Sequence, residues 1–451
     1  MKILITTHLF LPDFFAGTEI LACSAAKELQ RLGHDVEVLT GFPGRKDLAD
    51  SERFDHYEYD GVPVARFLHA DVPMGCERDV LRMEYDNRFV AEWFRGYLER
   101  VRPDIVHFFH LARLSASLID VCEELGVPMV LTPTDFWFVC PTYQLRLPDN
   151  SCCPGPDRFS VNCIRHLDYI DKPDEMTLVK RLPDWFIVFV VLLARLKLLP
   201  RRRFGFVCAL SERPAFLMKR LNRVGRVMIP SGIMEQILLN NGLNRALTRF
   251  AGFGLNLEHI PENLPRFRGA NLRVGFIGSL YEHKGIRVLL EAMQTLLDEE
   301  KITLKIYGEN REQPDYVDRL QKIAADDQRI TFCGTFPNSM IGEVLADIDL
   351  LVVPSTWYEN TPLVLYSAMA AACPVVASNL GGMSEVIKDG ENGLLIEAGN
   401  SLALAKALKL LANDGKLLDK LTAGCKRPKS IGEYVRELLT AYHELLPAEV
   451  I

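Results

Sequence analysis

The stretch 349–378 constrains the fold more than any other part of the chain. It opens with the apolar run Leu350–Val353, which is typical of a strand buried on both faces of a parallel sheet. A loop with aromatic and carboxylate side chains follows, then a helix rich in small residues over 363–372 and a second apolar run at 375–377. This order predicts a βαβ unit, with Pro362 as the first helical residue.

The loop after the first of these strands carries Glu359. Ligands of parallel sheets bind outside the carboxyl ends of the strands. A helix that begins near Pro362 directs free N–H groups to the same edge, where a phosphate or diphosphate fits. The alternative is a doubly wound sheet with ordinary turns. We expect a functional site here because of where such sheets place their ligands.

An ordered set of motifs surrounds this unit. The motifs are Phe276-Ile-Gly278-Ser-Leu-x-x-x-Lys284-Gly285, Pro354-Ser-x-Trp-x-Glu359-Asn-x-Pro362, Ala368-Met-Ala370, Pro374-Val-Val-Ala-Ser378, Gly381-Gly382-x-x-Glu385 and Asp389-Gly390-x-Asn392-Gly393. Together they resemble the first phosphate loop and the carboxyl-half signature of retaining glycosyltransferase family 4, the glycosyl transferases group 1. The resemblance covers most of the chain and is poor over about 152–203.

The resemblance implies an α/β protein of GT-B architecture, with two Rossmann-like doubly wound domains that face each other across a cleft. We expect an acceptor-side domain over 1–262, with an insertion at about 152–203, and a nucleotide-sugar-binding domain over 263–428. A last helix within 429–451 is expected to pack back on the first domain. Family members transfer a hexose from a nucleotide diphosphate with retention, usually without a metal, so we expect no metal and no cofactor.

The resemblance also implies the residues of the donor site. Lys284 would stabilise charge on the leaving diphosphate, and Glu359 would hold sugar or acceptor hydroxyls in position, so both are predicted to be catalytic. The predicted donor-binding residues are Gly278, Ser279, Lys284, Gly285, Tyr307, Gly308, Glu359, Asn360, Thr361, Pro362, Leu363 and Ser367.

Two of these positions depart from the family pattern. Ser367 stands where the family has the second Glu of its carboxylate pair, and Ser279 stands where an Arg is frequent. A serine makes hydrogen bonds but brings no charge, so Lys284 is the one strong cation of the phosphate loop. The sequence therefore leaves two alternatives, an active transferase and a binding or scaffold protein that keeps the fold without the reaction. A sugar-nucleotide epimerase is a third, less favoured class.

The amino-terminal half carries three candidate features of an acceptor site. Gly17-Thr18-Glu19 resembles a common form of the glycine-rich loop of the family, with an ordinary N-cap at Thr18 as the alternative. A histidine at the end of strand 104–111 lies near the transferred sugar in the family. His110 is our first choice for this catalytic role and His107 the second, and the alternative for one of them is a packed core histidine.

The next strand end along the chain carries Asp135 and Trp137. They follow the predicted strand 127–131 on the same edge of the sheet, so we predict that they line the acceptor pocket.

Cysteine usage and charge limit the partners of the chain. Cys140, Cys152, Cys153 and Cys163 lie in one loop, but they lack the paired C-x2-C spacing of zinc sites, so loop packing is favoured over zinc. The chain has 11 cysteines in 451 residues and its first apolar run is too short for a signal peptide, which indicates reduced thiols in a cytoplasm. A net charge of −7 gives no reason to expect nucleic acid.

An apolar run at 185–194 is followed by Arg195, Lys197 and Arg201-Arg202-Arg203. The run is too short to span a bilayer, which needs about 20 residues. Trp185–Arg203 is instead typical of an interfacial helix on anionic lipid, with a helix that covers a domain or dimer surface as the alternative. We therefore predict a cytoplasmic protein, peripheral on the inner face of the membrane, with a nucleotide sugar donor and a lipid-linked or saccharide acceptor. The following segment, 206–211, is predicted as a strand end.

Overall fold

The computed structural model describes residues 1–75, 77–147, 149, 151–171, 178–262, 264–265, 269–297, 301–309 and 313–447. The chain forms two compact units. Unit 1 contains Met1–Asp149, Cys153–Gly252 and Gly432–Ile451, and unit 2 contains Asn150–Cys152 and Phe253–Ile431. The predicted domain boundary falls beside residue 263, which lies outside the described residues.

Unit 1 is built on one sheet of eight strands in the order β3-β4-β2-β1-β5-β6-β7-β8. All neighbouring strands are parallel except β3 and β4. The strands are β1 (Lys2–Thr7), β2 (Asp35–Pro43), β3 (Phe54–Tyr59), β4 (Val62–His69), β5 (Ile105–Phe108), β6 (Met129–Leu131), β7 (Arg226–Ile229) and β8 (Thr248–Phe250).

The helices of unit 1 that precede unit 2 along the chain are α1 (Gly17–Arg31), α2 (Val80–Met83), α3 (Arg88–Val101), α4 (Ser117–Leu125), α5 (Val161–Asp171), α6 (Leu178–Arg181), α7 (Asp184–Arg195), α8 (Arg201–Leu221) and α9 (Gly232–Asn240). Helix α1 buries Leu21, Ala25 and Leu29, as its helical spacing predicts. Its N-cap is Ala16, so the alternative of an N-cap at Thr18 was wrong: Thr18 lies inside the first turn.

The strand end predicted at 206–211 was also wrong, because these residues lie inside α8. A short apolar run does not distinguish a buried strand from a buried helix segment. Here the run packs with α5 and α7, in a cluster that includes Ile164, Ile187, Val191 and Leu210. Packing against the neighbouring helices therefore explains why this segment is helical.

Unit 2 is built on one parallel sheet of six strands in the order β11-β10-β9-β12-β13-β14. The strands are β9 (Leu272–Ile277), β10 (Ile302–Tyr307), β11 (Ile330–Gly334), β12 (Leu350–Val353), β13 (Val375–Ser378) and β14 (Gly393–Ile396). In β12, Leu350 and Val352 pack into one apolar cluster, and Leu351 and Val353 pack into another. This strand is buried on both faces, as its unbroken apolar run predicts.

The helices of unit 2 are α10 (Ile286–Thr295), α11 (Pro314–Ala324), α12 (Ile341–Ala346), α13 (Leu363–Ala370), α14 (Met383–Val386), α15 (Ser401–Asn413) and α16 (Gly415–Gly424), and the last helix of the chain is α17 (Ile431–His443). The α/β fold class is confirmed in both units. Pro362 was predicted as the first helical residue. It is instead the N-cap of α13, because its ψ of 124° is extended, and the helix begins at Leu363. From Gly432 onward α17 belongs to unit 1.

Candidate active site

The carboxyl ends of β9 and β12, which are neighbours in the sheet of unit 2, bring two loops together. The loop after β9 includes a 3-10 turn at Glu282–Lys284, and the loop after β12 carries Glu359. The N–H of Thr356 donates to the carbonyl of His283 at 2.9 Å and joins the loops directly. The two segments with the strongest motifs thus form one surface at the sheet edge where parallel sheets bind ligands.

Glu359 is the centre of this surface. Its Oε1 accepts hydrogen bonds from Lys284 Nζ at 2.7 Å, Ser355 Oγ at 2.8 Å and Trp357 Nε1 at 2.9 Å. The ammonium of Lys284 also lies 5.3 Å from the centre of the Trp357 ring. One oxygen of a carboxylate thus holds the lysine, a hydroxyl and an indole in a fixed arrangement.

The environment of Glu359 keeps it ionised. The residue is only 6% exposed, and burial raises its pKa, but the charge of Lys284 and the three hydrogen bonds outweigh burial and leave the pKa below its usual value. Within the described part of the chain, Oε2 of Glu359 makes no hydrogen bond, and this atom is not fully buried. This oxygen can accept a hydrogen bond from a ligand hydroxyl.

Lys284 also keeps binding capacity. An ammonium has three N–H donors, and the bond to Glu359 uses one of them. The side chain is 26% exposed, so the remaining donors can reach an anionic ligand. The pair therefore presents a cation for a phosphate beside a carboxylate oxygen for a hydroxyl.

Glycines allow the loops to approach this closely. Gly285 has a φ of +74°, and a Cβ there would lie 1.9 Å from the carbonyl oxygen of Pro354. A Cβ on Gly382 would lie 1.5 Å from the carbonyl oxygen of Asn360. Only glycine fits where backbone meets backbone at such distances. Gly285 and Gly382 therefore fix the positions of Lys284 and of the Glu359 loop.

The other predicted donor-binding residues lie around the same edge. The N–H of Gly278 donates to the carbonyl of Tyr307 at 3.0 Å, so this amide is engaged within the protein, and Ser279 follows it in the loop. Gly308 has a φ of +152°, and a Cβ there would lie 1.9 Å from the carbonyl oxygen of Gly278. Burial raises the pKa of Tyr307 to about 12, so its hydroxyl stays neutral. These contacts set the shape of the loop.

The start of α13 carries the remaining predicted donor contacts. Thr361 Oγ1 donates to the carbonyl of Asn360 at 2.6 Å. The hydroxyl of Ser367, one turn into the helix, donates to the carbonyl of Leu363 at 3.2 Å. Ser367 is buried and its proton is engaged, so its oxygen can serve a ligand only as an acceptor.

In unit 1, His110 and Asp135 form a pair at the carboxyl ends of β5 and β6. His110 Nδ1 accepts from the N–H of Ala112 at 3.0 Å, so Nε2 carries the proton and donates to Asp135 Oδ2 at 2.8 Å. The ring of His8 lies 4.2 Å from the ring of His110, and its Nε2 lies 3.5 Å from Glu19 Oε1. Sequence analysis missed His8, although its position directly after β1 places it on this edge.

The two histidines of strand β5 have different environments. His107 is completely buried, with its ring nitrogens at 2.6 Å from the Tyr442 hydroxyl and 2.9 Å from Thr132 Oγ1. Burial lowers its pKa to about 3, so it is neutral. His107 is therefore the packed core histidine of the two alternatives. Trp137 is buried as well, and its indole N–H donates to Glu84 at 2.6 Å, a partner that the sequence did not indicate.

Glu19 carries a testable pH dependence. Burial raises its pKa from 4.5 to about 7, against smaller opposing effects that include its own backbone hydrogen bonds and His110. The folded state then holds a proton that the unfolded state has lost, so the free energy of unfolding falls as pH rises from about 4.5 to about 7. Glu19→Gln should remove this dependence and gain about 3 kcal/mol relative to the parent chain between about pH 5 and pH 8. Denaturant unfolding at both pH values measures it.

Glu28→Gln, on the same helix, is the control for Glu19→Gln. The hydrogen bond from Arg31 lowers the pKa of Glu28, so that carboxylate stays ionised in both folded and unfolded states over the same interval. A parallel change in both variants, or a pH dependence in Glu19→Gln equal to that of the parent chain, would contradict the placement of a neutral carboxyl beside His8.

The cysteine cluster lines a small pocket. Its walls include Cys140, Cys153 and Cys163 together with Arg146 and His166. Among the described residues, no three His, Cys, Asp or Glu side chains are grouped to hold one metal ion. Burial, together with the neighbouring thiols, raises the pKa of Cys163 to about 12, so the thiol is protonated.

No described helix is long and apolar enough to cross a membrane.

Comparison with known proteins identifies the class. Residues 16–156 match the glycosyl transferase 4-like domain, and residues 271–414 match the glycosyl transferases group 1 domain. The chain also superimposes on Anabaena Alr3699/HepE in complex with UDP and glucose, with a TM-score of 0.66 and 18% identity over 98% of this chain and 99% of that one. The two domain matches cover more than half of the chain, which therefore belongs to the glycosyltransferases of GT-B fold.

Curated relatives match part of the chain. A phosphatidyl-myo-inositol mannosyltransferase of Mycobacterium leprae is 33% identical over 176 residues, which cover 38% of this chain and 46% of that protein. The lipopolysaccharide core biosynthesis glycosyltransferase LpsE of Rhizobium meliloti is 29% identical over 177 residues, 38% of this chain and 49% of that protein. The chain thus matches less than half of the length of these relatives. Membership of the retaining family 4 stays a prediction.

Proposed function

We propose that the chain transfers a hexose from a nucleoside diphosphate sugar to an acceptor hydroxyl, with retention at the anomeric carbon. The observation that carries the proposal is the Lys284–Glu359 pair at the carboxyl edge of β9 and β12. The pair offers an ammonium with unused donors and a carboxylate oxygen without a partner among the described residues. A diphosphate beside a polyhydroxyl ring is the ligand that uses both.

The chemistry follows from these two groups. As the bond between the anomeric carbon and the diphosphate oxygen breaks, negative charge grows on the β-phosphate, and Lys284 stabilises it. Oε2 of Glu359 accepts a hydrogen bond from a sugar or acceptor hydroxyl and fixes the reacting geometry. The acceptor oxygen bonds to the anomeric carbon on the face that the diphosphate leaves, and its proton passes to a diphosphate oxygen. The proposal needs no divalent metal, since Lys284 supplies the positive charge.

The acceptor residues of the proposal lie in unit 1. His110 presents its ring beside Asp135, which orients it through the 2.8 Å hydrogen bond. Both ring nitrogens of His110 are engaged within the protein and its side chain is 3% exposed, so the group that an acceptor or sugar hydroxyl meets at this edge is the Asp135 carboxylate, which is 23% exposed. The named activity of the mannosyltransferase and LpsE relatives supports an acceptor in cell-envelope glycolipid or polysaccharide synthesis.

A donor screen tests the proposal before any acceptor is known. The full chain is mixed with UDP-, GDP- and ADP-linked hexoses, and its melting temperature is recorded. One donor series should raise it, and Glu359→Gln should reduce that rise. With an acceptor extract, the product formed from an α-linked donor should show an α-anomeric proton by NMR, with and without EDTA.

Each outcome of the screen has a defined meaning. A β-anomeric product would contradict retention, and loss of transfer in EDTA would contradict the metal-free mechanism. Tight donor binding without transfer or donor hydrolysis, with acceptor extracts present, would favour the binding or scaffold protein. A free epimerised sugar would identify an epimerase.

A further inference from the structure

Helix α7 is apolar on two opposite faces. One face carries Ile187, Val191 and Ala194, which are buried at helical spacing. Ile187 and Val191 pack with Ile164 of α5 and Leu210 of α8 in one apolar cluster. This packing fixes the rotation of the helix about its axis, and so it also fixes which residues face outward.

The outward face presents large apolar side chains to solvent. Trp185 is 70% exposed, Phe189 52%, Leu192 42% and Leu196 67%, and Leu198 in the following turn is 65% exposed. Positions 185, 189, 192 and 196 follow the spacing of one helical stripe. We name these five residues the α7 stripe. A continuous exposed apolar patch of this kind marks a surface that binds another protein or a membrane.

Basic residues adjoin the α7 stripe on its carboxyl side. Residues 195–203 contain five Lys or Arg and no Asp or Glu. Lys197 and Arg203 are exposed, whereas the guanidinium of Arg195 donates to the carbonyl of Arg158 at 2.9 Å. Apolar aromatic surface beside a concentration of positive charge is the pattern of a helix that lies in the interface of an anionic membrane.

We propose that α7 lies flat in the headgroup region of an anionic lipid surface, with the α7 stripe toward the acyl chains and Lys197 and Arg203 on the lipid phosphates. The charge decides against a second copy of the chain as the partner. A two-fold interface joins like patches, and residues 185–203 contain no Asp or Glu, so a second copy would supply no negative charge from this segment to the basic residues, whereas lipid phosphates would. The segment also lies outside both matched glycosyltransferase domains, which end at residue 156 and begin again at residue 271.

The consequence for substrate choice rests on the proposed function. A transferase docked by α7 works where lipid-linked acceptors are concentrated, which favours a lipid-linked over a soluble saccharide acceptor. The docking itself stands on the exposed surface and can be tested without any transfer reaction.

Vesicle sedimentation of the full chain tests the docking. The chain should bind vesicles of phosphatidylcholine with about one third phosphatidylglycerol, bind pure phosphatidylcholine weakly, and lose affinity as salt rises. Trp185→Ser with Phe189→Ser should lower the partition coefficient by roughly tenfold or more. Lys197→Gln with Arg203→Gln should lower it by about thirty-fold.

Matched controls use equally exposed residues elsewhere in unit 1. Phe250 is 68% exposed, so Phe250→Ser controls for the loss of an exposed aromatic residue. The side chains of Arg45 and Arg245 are both 76% exposed, so Arg45→Gln with Arg245→Gln controls for charge. Both controls should bind like the parent chain.

Three results would overturn the docking proposal. They are equal binding to both kinds of vesicle, controls that lose as much affinity as the α7 variants, and a dimer in light scattering that the Trp185 and Phe189 substitutions dissociate. Melting temperatures of all variants show that loss of binding is not loss of fold. Donor binding in the thermal-shift screen should be unchanged in every α7 variant, so failure of docking and failure of the proposed function are separate outcomes.

Discussion

Lys284→Ala is expected to lower kcat/KM for hexose transfer by about a thousandfold, the upper range for loss of one group that stabilises transition-state charge. The ammonium of Lys284 supplies the positive charge of the phosphate loop at the carboxyl edge of β9 and β12. This loop has Ser279 where the family frequently has an arginine. The measurement is a steady-state assay with the donor found by the screen. Lys322→Ala, an exposed lysine on α11, is the control and should keep the parent rate.

The same substitution leaves the buried carboxylate of Glu359 without its ion pair, so some loss of stability is expected, of about 2 kcal/mol. The double variant Lys284→Met with Glu359→Gln separates the two effects. It removes both charges, so it should recover most of the lost stability while transfer stays low. If transfer recovered together with stability, Lys284 would have a structural role only, and the proposed stabilisation of the diphosphate would be wrong.

Gly285→Ala is expected to lower the free energy of unfolding by about 3 kcal/mol and to abolish measurable transfer. Two costs add at this position. The φ of +74° costs an L-residue roughly 1–2 kcal/mol, and the new Cβ would lie 1.9 Å from the Pro354 carbonyl oxygen. Relief of that overlap must separate the Lys284 turn from the Glu359 loop, which breaks the site as well as the packing. Urea unfolding and the transfer assay measure both effects.

Gly390→Ala isolates the backbone cost. Gly390 has a φ of +70°, but nothing lies within 4 Å of a Cβ built there. This variant should lose about 1 kcal/mol and keep its activity. Equal losses in the two alanine variants would show that the close approach of Gly285 to Pro354 is not what holds the loops together.

The sequence predicted the parts of the structure that depend on local pattern. The run from Leu350 to Val353 could only be buried on both faces, and β12 packs against two apolar clusters. The order of motifs also placed Lys284 and Glu359 on one sheet edge, and the structure joins them by a 2.7 Å hydrogen bond. Strand order and motif spacing are sufficient for such predictions, because parallel sheets place their loops systematically.

Other features depended on tertiary neighbours that sequence pattern does not show. Residues 206–211 read as a strand end, yet packing against α5 and α7 keeps them helical in α8. The roles of His107 and His110 could not be separated from alternation alone. His107 meets Tyr442, a residue 335 positions away in the chain, whereas His110 lies beyond the end of β5. That the three donors to Glu359, two from its own loop and Lys284 from the loop after β9, all meet on Oε1 likewise depends on side-chain directions fixed by the fold.

The most direct test of the central claim is calorimetric titration of the chain with the nucleoside diphosphate and the nucleoside monophosphate of the donor identified by the screen. If Lys284 binds the diphosphate, the parent chain should prefer the diphosphate by about tenfold or more, and Lys284→Ala should lose that preference while it keeps its affinity for the monophosphate. An unchanged preference in Lys284→Ala, or equal affinity of the parent chain for both nucleotides, would contradict the account.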